Sequence, residues 1–305
     1  TTEIYTLSLH DALPILDGVL LLDKAPGMSS NDALQKARRL FSAAKGGHTG
    51  TLDPLATGLL PLCFGEATKF SADLLDADKT YEAELRLGVS TDSGDAEGVV
   101  TATAEVNVTP ADIARVLPQF TGDIEQVPPM HSALKRDGRP LYELARQGIT
   151  VDREARPVTI HVIELLAFSG DSLRLSVSCS KGTYIRVLAQ DIGAALGCGA
   201  HLTALRRTRV GDLLLDGALT LAQIDGIEEG ARVACLRPVD ALLQSLPRVD
   251  LSGEAAQRFS HGNPVDLPEG LSGKIRVYAE DRLIGVGEPR PGLRLWPKRL
   301  VQLAL

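Results

Sequence analysis

Aromatic residues, cysteines and long apolar runs are all scarce in this sequence. Aromatic side chains make up 4% of the 305 residues, so each Tyr and the single Trp can be weighed individually. The four cysteines form no C-x-x-C pair, and a chain of this length does not need disulfide bonds to stabilise its core. No apolar run approaches the ~18–20 residues that cross a bilayer. These absences predict a cytoplasmic protein with reduced thiols and no membrane-spanning segment.

Metal-binding patterns are also nearly absent. Cys198 and His201 have the C-x-x-H spacing of a zinc ligand pair. A structural zinc site needs about four ligands, and no second pair of Cys or His lies near this one in the sequence. We therefore predict that the protein binds no metal.

The net charge of −7 argues at first sight against a nucleic-acid partner, because phosphate binding needs local positive charge. The charge is unevenly distributed, however. Residues 71–130 contain 12 acidic and 3 basic residues, a net charge of −9, so the rest of the chain has a net charge of +2. A basic surface outside this acidic block is compatible with RNA binding. We expect the block itself to face away from RNA, since its charge would repel the phosphate backbone.

The length of the chain favours two domains. Residues 1–16 lack an initiator Met and the basic start of a secretory signal, so we treat them as an extension foreign to the fold, and as a candidate artefact. A main domain is expected over 17–247, ending at Ser245-Leu246-Pro247. A small β module is expected over 248–305, because short strand-like runs alternate there with Gly and Pro.

Local patterns predict elements inside the main domain. Capping residues and apolar spacing predict helices that begin after residues 29–31 and end near 41, and over 110–119, 140–147 and 185–196. Apolar runs or alternation predict strands over 18–22, 80–89, 158–167 and 172–179. Residues 46–50 are predicted to form a glycine-rich loop.

The segment Gly50–Gly58 (GTLDPLATG) has two interpretations. Asp53 before Pro54 is a good helix N-cap, because Pro suits the first helical turn. Alternatively, Pro54 keeps Asp53 out of the helical region, so that its carboxylate projects from a loop between glycines that leave room for a substrate. A fixed and accessible carboxylate can act as a nucleophile.

The longer run Gly47–Pro61 (GHTGTLDPLATGLLP) resembles the catalytic motif of the bacterial TruB family of tRNA pseudouridine synthases. Further matches follow the family's order: Gly18–Asp32 (GVLLLDKAPGMSSND), Cys179–Arg186 (CSKGTYIR), Gly197–His201 (GCGAH) and Leu205–Arg207 (LRR). The resemblance is strong over about 17–240 and looser over the C-terminal module, including Leu295–Leu300 (LWPKRL).

The resemblance implies an α+β fold with a mixed, largely antiparallel sheet and helices around a central cleft. Residues 17–247 would be the catalytic domain, and residues 127–157 would be an insertion that grips RNA. Residues 248–305 would form a small PUA-like β domain that binds RNA.

The resemblance also implies an activity. The protein would isomerise uridine 55 in the T-loop of elongator tRNAs, as a stand-alone cytoplasmic monomer with no cofactor, metal or obligatory protein partner. Asp53 would be the nucleophile. The sequence leaves open whether its carboxylate attacks C1′, promotes glycal formation or adds to C6 of the base. Each route needs the uridine to leave its stack.

Two further residues match catalytic-site positions of the family. Tyr81 would stack on the uracil; judged alone, the interpretation as a core Tyr on an amphipathic strand is favoured. Arg186 would hold Asp53 ionised by a salt bridge; judged alone, it is a solvated Arg on the first turn of a helix.

Four other residues match family positions around the base or the catalytic loop. Tyr184 and Leu205 would line the uracil pocket, although Tyr184 judged alone is more simply a packed strand Tyr. His48 would stack on or hydrogen-bond to the RNA without transferring a proton; alone, it would be a surface His. Lys24 would support the Asp53 loop.

Basic residues outside the acidic block are candidates for phosphate contacts. Arg206, Arg207 and Arg209 form a run that is either a solvated strand face or an RNA contact. The insertion contributes six more: Lys135, Arg136, Arg139, Arg146, Arg153 and Arg156. His131 in the insertion stands where many family members have Tyr.

Three other functions remain open at this point. An RNA-folding chaperone on the same scaffold would not need the nucleophile, yet Asp53, Tyr81 and Arg186 are all present. A guide-dependent synthase of the box H/ACA type would not need the insertion at 127–157. A plain oligonucleotide-binding module would not need the Asp53 loop.

Overall fold

The computed structural model describes residues 16–132, 134–136, 138–267 and 270–302. Residues 1–15, nearly all of the expected extension, lie outside the described residues. Two main sheets organise the fold, one of nine strands and one of five. None of the helices in the described part of the chain is long and apolar enough to cross a membrane.

The strands are β1 (Gly18–Lys24), β2 (Gly46–His48), β3 (Thr57–Phe64), β4 (Lys79–Leu87), β5 (Val89–Thr91), β6 (Val100–Thr103), β7 (Gly122–Gln126), β8 (Lys135–Arg136), β9 (Arg139–Pro140), β10 (Arg156–Ser169), β11 (Ser172–Cys179), β12 (Ala200–Val210), β13 (Leu213–Leu214), β14 (Arg248–Asp250), β15 (Val265–Asp266), β16 (Ile275–Ala279), β17 (Arg282–Arg290) and β18 (Arg294–Leu300). The α-helices are α1 (Ser30–Leu40), α2 (Ser71–Leu75), α3 (Pro110–Val116), α4 (Leu141–Arg146), α5 (Ile185–Ala195), α6 (Leu221–Asp225) and α7 (Gly253–Ser260). Short 3₁₀ helices lie at Gly65–Phe70, Leu117–Phe120, Glu229–Cys235 and Val239–Leu242.

The large sheet is mixed and largely antiparallel, as predicted. Its strands run in the order β1-β3-β12-β4-β11-β10-β7, with β2 also paired to β3 and β13 to β12. The pairing of β12 with β3 is parallel and sets Arg206 and Arg207 beside Thr57 and Gly58. This contact brings a late strand against the chain that follows the Asp53 loop.

Local sequence signals account for the helices that flank this sheet. Ser29 caps α1 and forms a capping box with Asp32, and Thr109 does the same with Asp112 for α3. The helix predicted over 110–119 is α-helical only to Val116 and continues as a 3₁₀ turn. The predicted helix near 185–196 is α5, which packs its apolar side against β12.

One prediction around the Asp53 segment is wrong, and so is one of the two interpretations of Asp53. Gly46–His48, predicted as a loop, pairs with β3 as a short antiparallel strand, because a ready sheet edge outweighs the low strand propensity of glycine. Asp53 does not cap a helix. The amide of Ala56 donates to the carbonyl of Asp53 at 3.0 Å to close a turn, and β3 begins at Thr57. The buried apolar run of β3 fills the sheet between β1 and β12, which leaves no place for a helix there.

The C-terminal residues form the second sheet, in the order β14-β16-β17-β18-β15. It has its own apolar core, which includes Phe259, Ile275, Val277 and Leu295. Polar contacts attach it to the rest of the chain, among them the ion pair of Lys274 with Asp73 and the hydrogen bond from Tyr278 to Asp240. The small β domain expected here is present.

Candidate active site

Asp53 lies on the loop that joins the antiparallel strands β2 and β3. The loop is held from outside by neighbouring segments: the amide of Leu52 donates to Ser30 Oγ at 2.7 Å, and the amide of Gly27 donates to the carbonyl of Pro54 at 2.8 Å. The Asp53 side chain keeps 42% of its surface exposed. The loop therefore presents a fixed carboxylate that a substrate can reach.

Arg186 lies directly against this carboxylate. Its Nε is 3.1 Å from Asp53 Oδ2, and its Nη1 is 3.3 Å from Asp95 Oδ2. Its Nη2 also donates to the carbonyl of His131 at 2.7 Å. With a side chain only 6% exposed, Arg186 is not the solvated helix residue of the simpler interpretation. Its guanidinium instead joins two carboxylates in one network.

Asp95 is a member of the site that the sequence did not reveal. Its Oδ1 accepts hydrogen bonds from Ser93 Oγ at 2.6 Å and from the amide of Glu97 at 3.1 Å, and the side chain is buried. These contacts leave Oδ2 directed at Arg186. In the sequence, Asp95 follows Ser93-Gly94 and looks like an ordinary turn residue of the acidic block. That block therefore does not lie wholly apart from the site.

Burial and charge act in opposite directions on Asp53. Burial is the largest influence and raises the pKa of its carboxyl group, while the Arg186 guanidinium lowers it and the Asp95 carboxylate adds to the rise. The net pKa lies above that of an ordinary Asp. Asp53 is thus a partly desolvated carboxylate whose pKa makes it more basic than one in water.

Tyr81 and Leu205 lie on the two adjacent strands β4 and β12, on the face that contains the apolar core. Tyr81 is half-buried and opposite Arg207, and Leu205 is opposite Ala83. Burial raises the pKa of the Tyr81 phenol, so it is neutral at physiological pH. Leu205 and Leu55 line a groove of about 560 Å³. Leu205 therefore faces a groove that the Asp53 loop also borders, through Leu55.

The groove also has an acidic side. Glu82, Glu84 and Glu97 line it, together with Arg174. All three acids belong to the acidic block. The expected orientation of the block, away from RNA, stays a prediction.

Tyr184 immediately precedes α5, and its main chain is held by Gln126. The amide of Tyr184 donates to Gln126 Oε1 at 2.9 Å, and Gln126 Nε2 donates to the carbonyl of Tyr184 at 3.3 Å. Gln126 is 2% exposed on β7 and was not predicted as a site residue. Because Arg186 follows two residues later, this pair of hydrogen bonds also fixes the start of the helix that holds Arg186.

Lys24 and His48 lie on either side of the Asp53 loop. Lys24 Nζ is buried and donates to the carbonyls of Met28 at 2.7 Å and Pro54 at 3.3 Å, and burial lowers its pKa to about 8. The Pro54 contact fits the expected support of the loop. Burial, reinforced by Arg207, lowers the pKa of His48, so its imidazole is neutral at physiological pH. Its Nδ1 has no hydrogen-bond partner among the described residues.

The basic run on β12 divides into three separate environments. Arg206 pairs with Asp23 at 2.7 Å, and Arg209 donates to the carbonyl of Gly211 at 2.6 Å. Arg207 is 1% exposed. Both interpretations of the run, a solvated face and a phosphate contact, are therefore wrong for Arg207.

The insertion expected at 127–157 contains the β8–β9 hairpin and α4. Arg136, Arg139 and Leu144 border a groove of about 580 Å³. Arg136, Arg139, Arg146 and Arg156 are exposed, whereas Arg153 is half-buried and donates to the carbonyl of Pro128 at 3.0 Å. Most of the predicted phosphate contacts here are thus available to a ligand.

The fold is shared with solved structures. The chain matches the "Crystal Structure of a Cbf5-Nop10-Gar1 Complex" with a TM-score of 0.72 and 28% identity, covering 94% of this chain and 85% of that one. A second match, with a TM-score of 0.71 and 26% identity, is the "Structure of H/ACA RNP bound to a substrate RNA containing 2'-deoxyuridine"; it covers 94% of this chain and 85% of that chain. The large mixed sheet and its cleft are those of a pseudouridine synthase.

Sequence comparison narrows this class to one family. Residues 38–185 match the model of the "TruB family pseudouridylate synthase (N terminal domain)", 186–244 match the "tRNA pseudouridylate synthase B C-terminal domain", and 247–301 match "Pseudouridine synthase II TruB, C-terminal". This chain belongs to the TruB family.

Two relatives show how similar its members are. The protein named tRNA pseudouridine synthase B from Dechloromonas aromatica (strain RCB) is 73% identical over 289 residues, which are 95% of this chain and 97% of that protein. The protein of the same name from Aromatoleum aromaticum (strain DSM 19018 / LMG 30748 / EbN1) is 60% identical over 287 residues, which are 94% of this chain and 93% of that one.

Proposed function

We propose that this chain is a tRNA pseudouridine synthase that isomerises uridine 55 in the T-loop of elongator tRNAs, with Asp53 as the nucleophile and without a cofactor. The observation that supports this most is the pair of Asp53 with Arg186, at 3.1 Å, in a chain 73% identical to a tRNA pseudouridine synthase B. A reachable carboxylate beside a buried guanidinium can act on a ribose or on a uracil ring.

The isomerisation of uridine to pseudouridine requires an ionised carboxylate. The bond between uracil N1 and ribose C1′ breaks, the base rotates, a bond forms between C5 and C1′, C5 loses its proton and N1 gains one. Asp53 could attack C1′, remove the C2′ proton to give a glycal, or add to C6. All three routes need ionised Asp53, which the buried Arg186 favours while the surrounding burial opposes it.

The side chains around Asp53 suit a uridine turned out of its stack. Tyr81 would stack on the uracil, an interaction that contributes ~1–3 kcal/mol in related contacts. Tyr184 and Leu205 would enclose the base, and neutral His48 would contact the RNA near the vacated position. Lys24 would hold the Pro54 end of the loop. A protein that binds an extruded base in this way need not recognise the duplex sequence around it.

The exposed arginines of the insertion and the C-terminal sheet would bind the T-arm, mainly through phosphates. We propose a cytoplasmic, stand-alone monomer with no metal and no obligatory protein partner. The solved structure of Cbf5 with which this chain shares its fold is a complex with Nop10 and Gar1, whereas the relatives at 73% and 60% identity are named as tRNA enzymes. The insertion would bind the substrate RNA directly, so that this protein would not depend on a guide RNA.

The position of the modified uridine tests this proposal. An elongator tRNA transcript incubated with the protein is treated with a carbodiimide that marks pseudouridine, and the marked sites are read by primer extension. We expect one enzyme-dependent stop, at T-loop uridine 55. A stop at another uridine would refute the proposed specificity, and no stop would refute the activity.

Asp95→Asn is expected to slow isomerisation by about 10²-fold, because Arg186 loses the carboxylate that orients its Nη1 and small displacements of catalytic groups have effects of this size. The single-turnover rate constant and the Kd for tRNA are measured together, and Kd should not change. Asp92→Asn is the matched control: it lies in the same loop, but its carboxylate accepts from the amide of Val99 instead of facing Arg186. Equal rates for the two variants would contradict a role for Asp95.

The raised pKa of Asp53 predicts an acid limb in the pH profile. Because burial raises this pKa, Asp53 stays protonated to a higher pH than an ordinary Asp, whose pKa is about 3.9. The single-turnover rate should therefore rise with pH through a midpoint above that value. The profile is measured where circular dichroism shows the folded state and tRNA binding is constant. A rate that is flat throughout that range, down to pH ~4, would contradict an essential ionised Asp53.

A further inference from the structure

Arg207 is the largest fully buried side chain among the described residues, with 1% of its surface exposed. It lies on β12 between Gly58 of β3 and Tyr81 of β4. No carboxylate of the described residues forms an ion pair with it, although such pairs are otherwise common on this surface and in this core. Its burial therefore needs another explanation.

The guanidinium donates to main-chain carbonyls on both sides of Asp53, in the loop before it and in strand β3 after it. Its Nη2 is 3.2 Å from the carbonyl oxygen of Gly50, its Nη1 is 3.5 Å from that of Thr51, and its Nε is 2.8 Å from that of Leu59. Gly50 and Thr51 precede Asp53, and Leu59 follows it. One side chain thus connects the two arms of the loop.

Gly58 allows β12 to approach this closely. Its φ is +94°, and a Cβ at this position would lie 2.3 Å from the carbonyl oxygen of Arg207 and 2.8 Å from its nitrogen. Only glycine combines that backbone conformation with this contact. The main chain of Arg207 is therefore held against the loop as firmly as its side chain.

The buried charge is costly for the fold. Burying a guanidinium without a carboxylate partner is unfavourable, and its hydrogen bonds offset that cost only in part. Its three main-chain acceptors lie in the Asp53 loop and near the start of β3, and the guanidinium also lies beside the Tyr81 phenol, whose pKa it lowers against the larger effect of burial. These contacts point to a role in the geometry of the site.

We propose that Arg207 is a positioning residue for isomerisation: it fixes the loop so that the Asp53 carboxylate meets Arg186 and the reacting atoms of the uridine. This inference rests on the proposed function. Arg207 touches neither Asp53 nor, given its burial, the RNA. Its loss should therefore lower the rate of the chemical step and leave tRNA binding unchanged.

Arg207→Gln tests the proposal, with Arg207→Lys as the conservative variant. Gln can bond only one arm of the loop, so the single-turnover rate constant should fall about 10²-fold, with Kd for tRNA within about 3-fold of wild type. Lys retains the charge and one or two of the bonds, so its rate should lie between those of wild type and Arg207→Gln.

Arg232→Gln is the matched control. Arg232 also donates to three main-chain carbonyls, those of Leu40 at 2.8 Å, Ile227 at 3.0 Å and Asp225 at 3.1 Å, but none belongs to the site. This variant, which also loses the ion pair of the half-buried Arg232 with Asp225, should lower the Tm and keep the wild-type rate. The comparison separates loop positioning from general stability.

The rates and Kd values of these variants decide whether Arg207 is a positioning residue. Wild-type rates for folded Arg207→Gln and Arg207→Lys would overturn the proposal, as would equal rate losses in the Arg207 and Arg232 variants. If Arg207→Gln does not fold, Arg207→Lys decides alone: a slowed rate with unchanged Kd supports positioning, and a wild-type rate overturns it. Inactivity of the wild type itself would overturn the proposed function and this inference together.

Discussion

Asp53→Asn is expected to reduce the single-turnover rate of pseudouridine formation by about 10⁴-fold or more, the scale seen when a nucleophile is removed. Asn preserves the shape of the side chain and can still hydrogen-bond to Arg186, which lies 3.1 Å from Oδ2. The variant lacks the negative charge that each of the three chemical routes uses. Tritium release from tRNA labelled with [5-³H]uridine measures the rate directly, since C5 loses its hydrogen in the product.

Asp73→Asn is the control for this substitution. Asp73 is also a carboxylate in an ion pair, with Lys274, but it lies on α2 where that helix meets the C-terminal sheet and not in the site. At saturating enzyme it should release tritium at the wild-type rate. If Asp53→Asn retained more than about 1% of the wild-type rate, the nucleophile would have to be another group.

Arg186→Met is expected to lower the rate by about 10²–10³-fold, as the loss of one preorganised electrostatic partner commonly does. Met has a similar length but no charge, so Asp53 and Asp95 would share the site with no guanidinium between them. Because Arg186 lowers the pKa of Asp53, its removal raises that pKa further, and the acid limb of the pH profile should move to higher pH. One series of single-turnover assays at different pH values gives both the rate constant and the midpoint of the acid limb.

Arg186→Lys gives the complementary comparison. Lys keeps a positive charge but has a single ammonium, which cannot contact Asp53 and Asp95 in the two directions that Nε and Nη1 of Arg186 use. Its acid limb should stay near that of wild type, with a rate between those of wild type and Arg186→Met. An Arg186→Met variant with an unshifted limb would show that Arg186 does not set the ionisation of Asp53.

Elements defined by local signals could be predicted from the sequence. Capping residues predicted a helix start after 29–31 and another at 110, where α1 and α3 begin, and apolar patterns predicted strands over 158–167 and 172–179, which β10 and β11 match. The prediction that Asp53 is the nucleophile came from fifteen consecutive residues that resemble the catalytic motif of one family. Each of these predictions depends only on residues that are neighbours in the chain, so it can be made from the sequence alone.

Features that depend on distant partners could not be predicted. Asp95 meets Arg186 across 91 positions of the chain, and Gln126 meets Tyr184 across 58. The burial of Arg207 depends on the parallel pairing of β12 with β3. Bulges in the pairing of β12 with β4 also interrupt the regular alternation of side chains between the two faces of the sheet. The sequence shows neither the pairing nor the bulges, so Arg206, Arg207 and Arg209 look equivalent in it.

The central proposal is that this chain isomerises the T-loop uridine of tRNA through Asp53. The most direct test measures tritium release from two [5-³H]uridine-labelled elongator tRNA transcripts, one unaltered and one with cytidine in place of uridine 55. Wild-type protein should release about one tritium per unaltered tRNA and none from the substituted one, and Asp53→Asn should bind both and release none. Binding of the unaltered tRNA by wild type with no release would contradict the claim and favour an RNA-folding chaperone on the same scaffold.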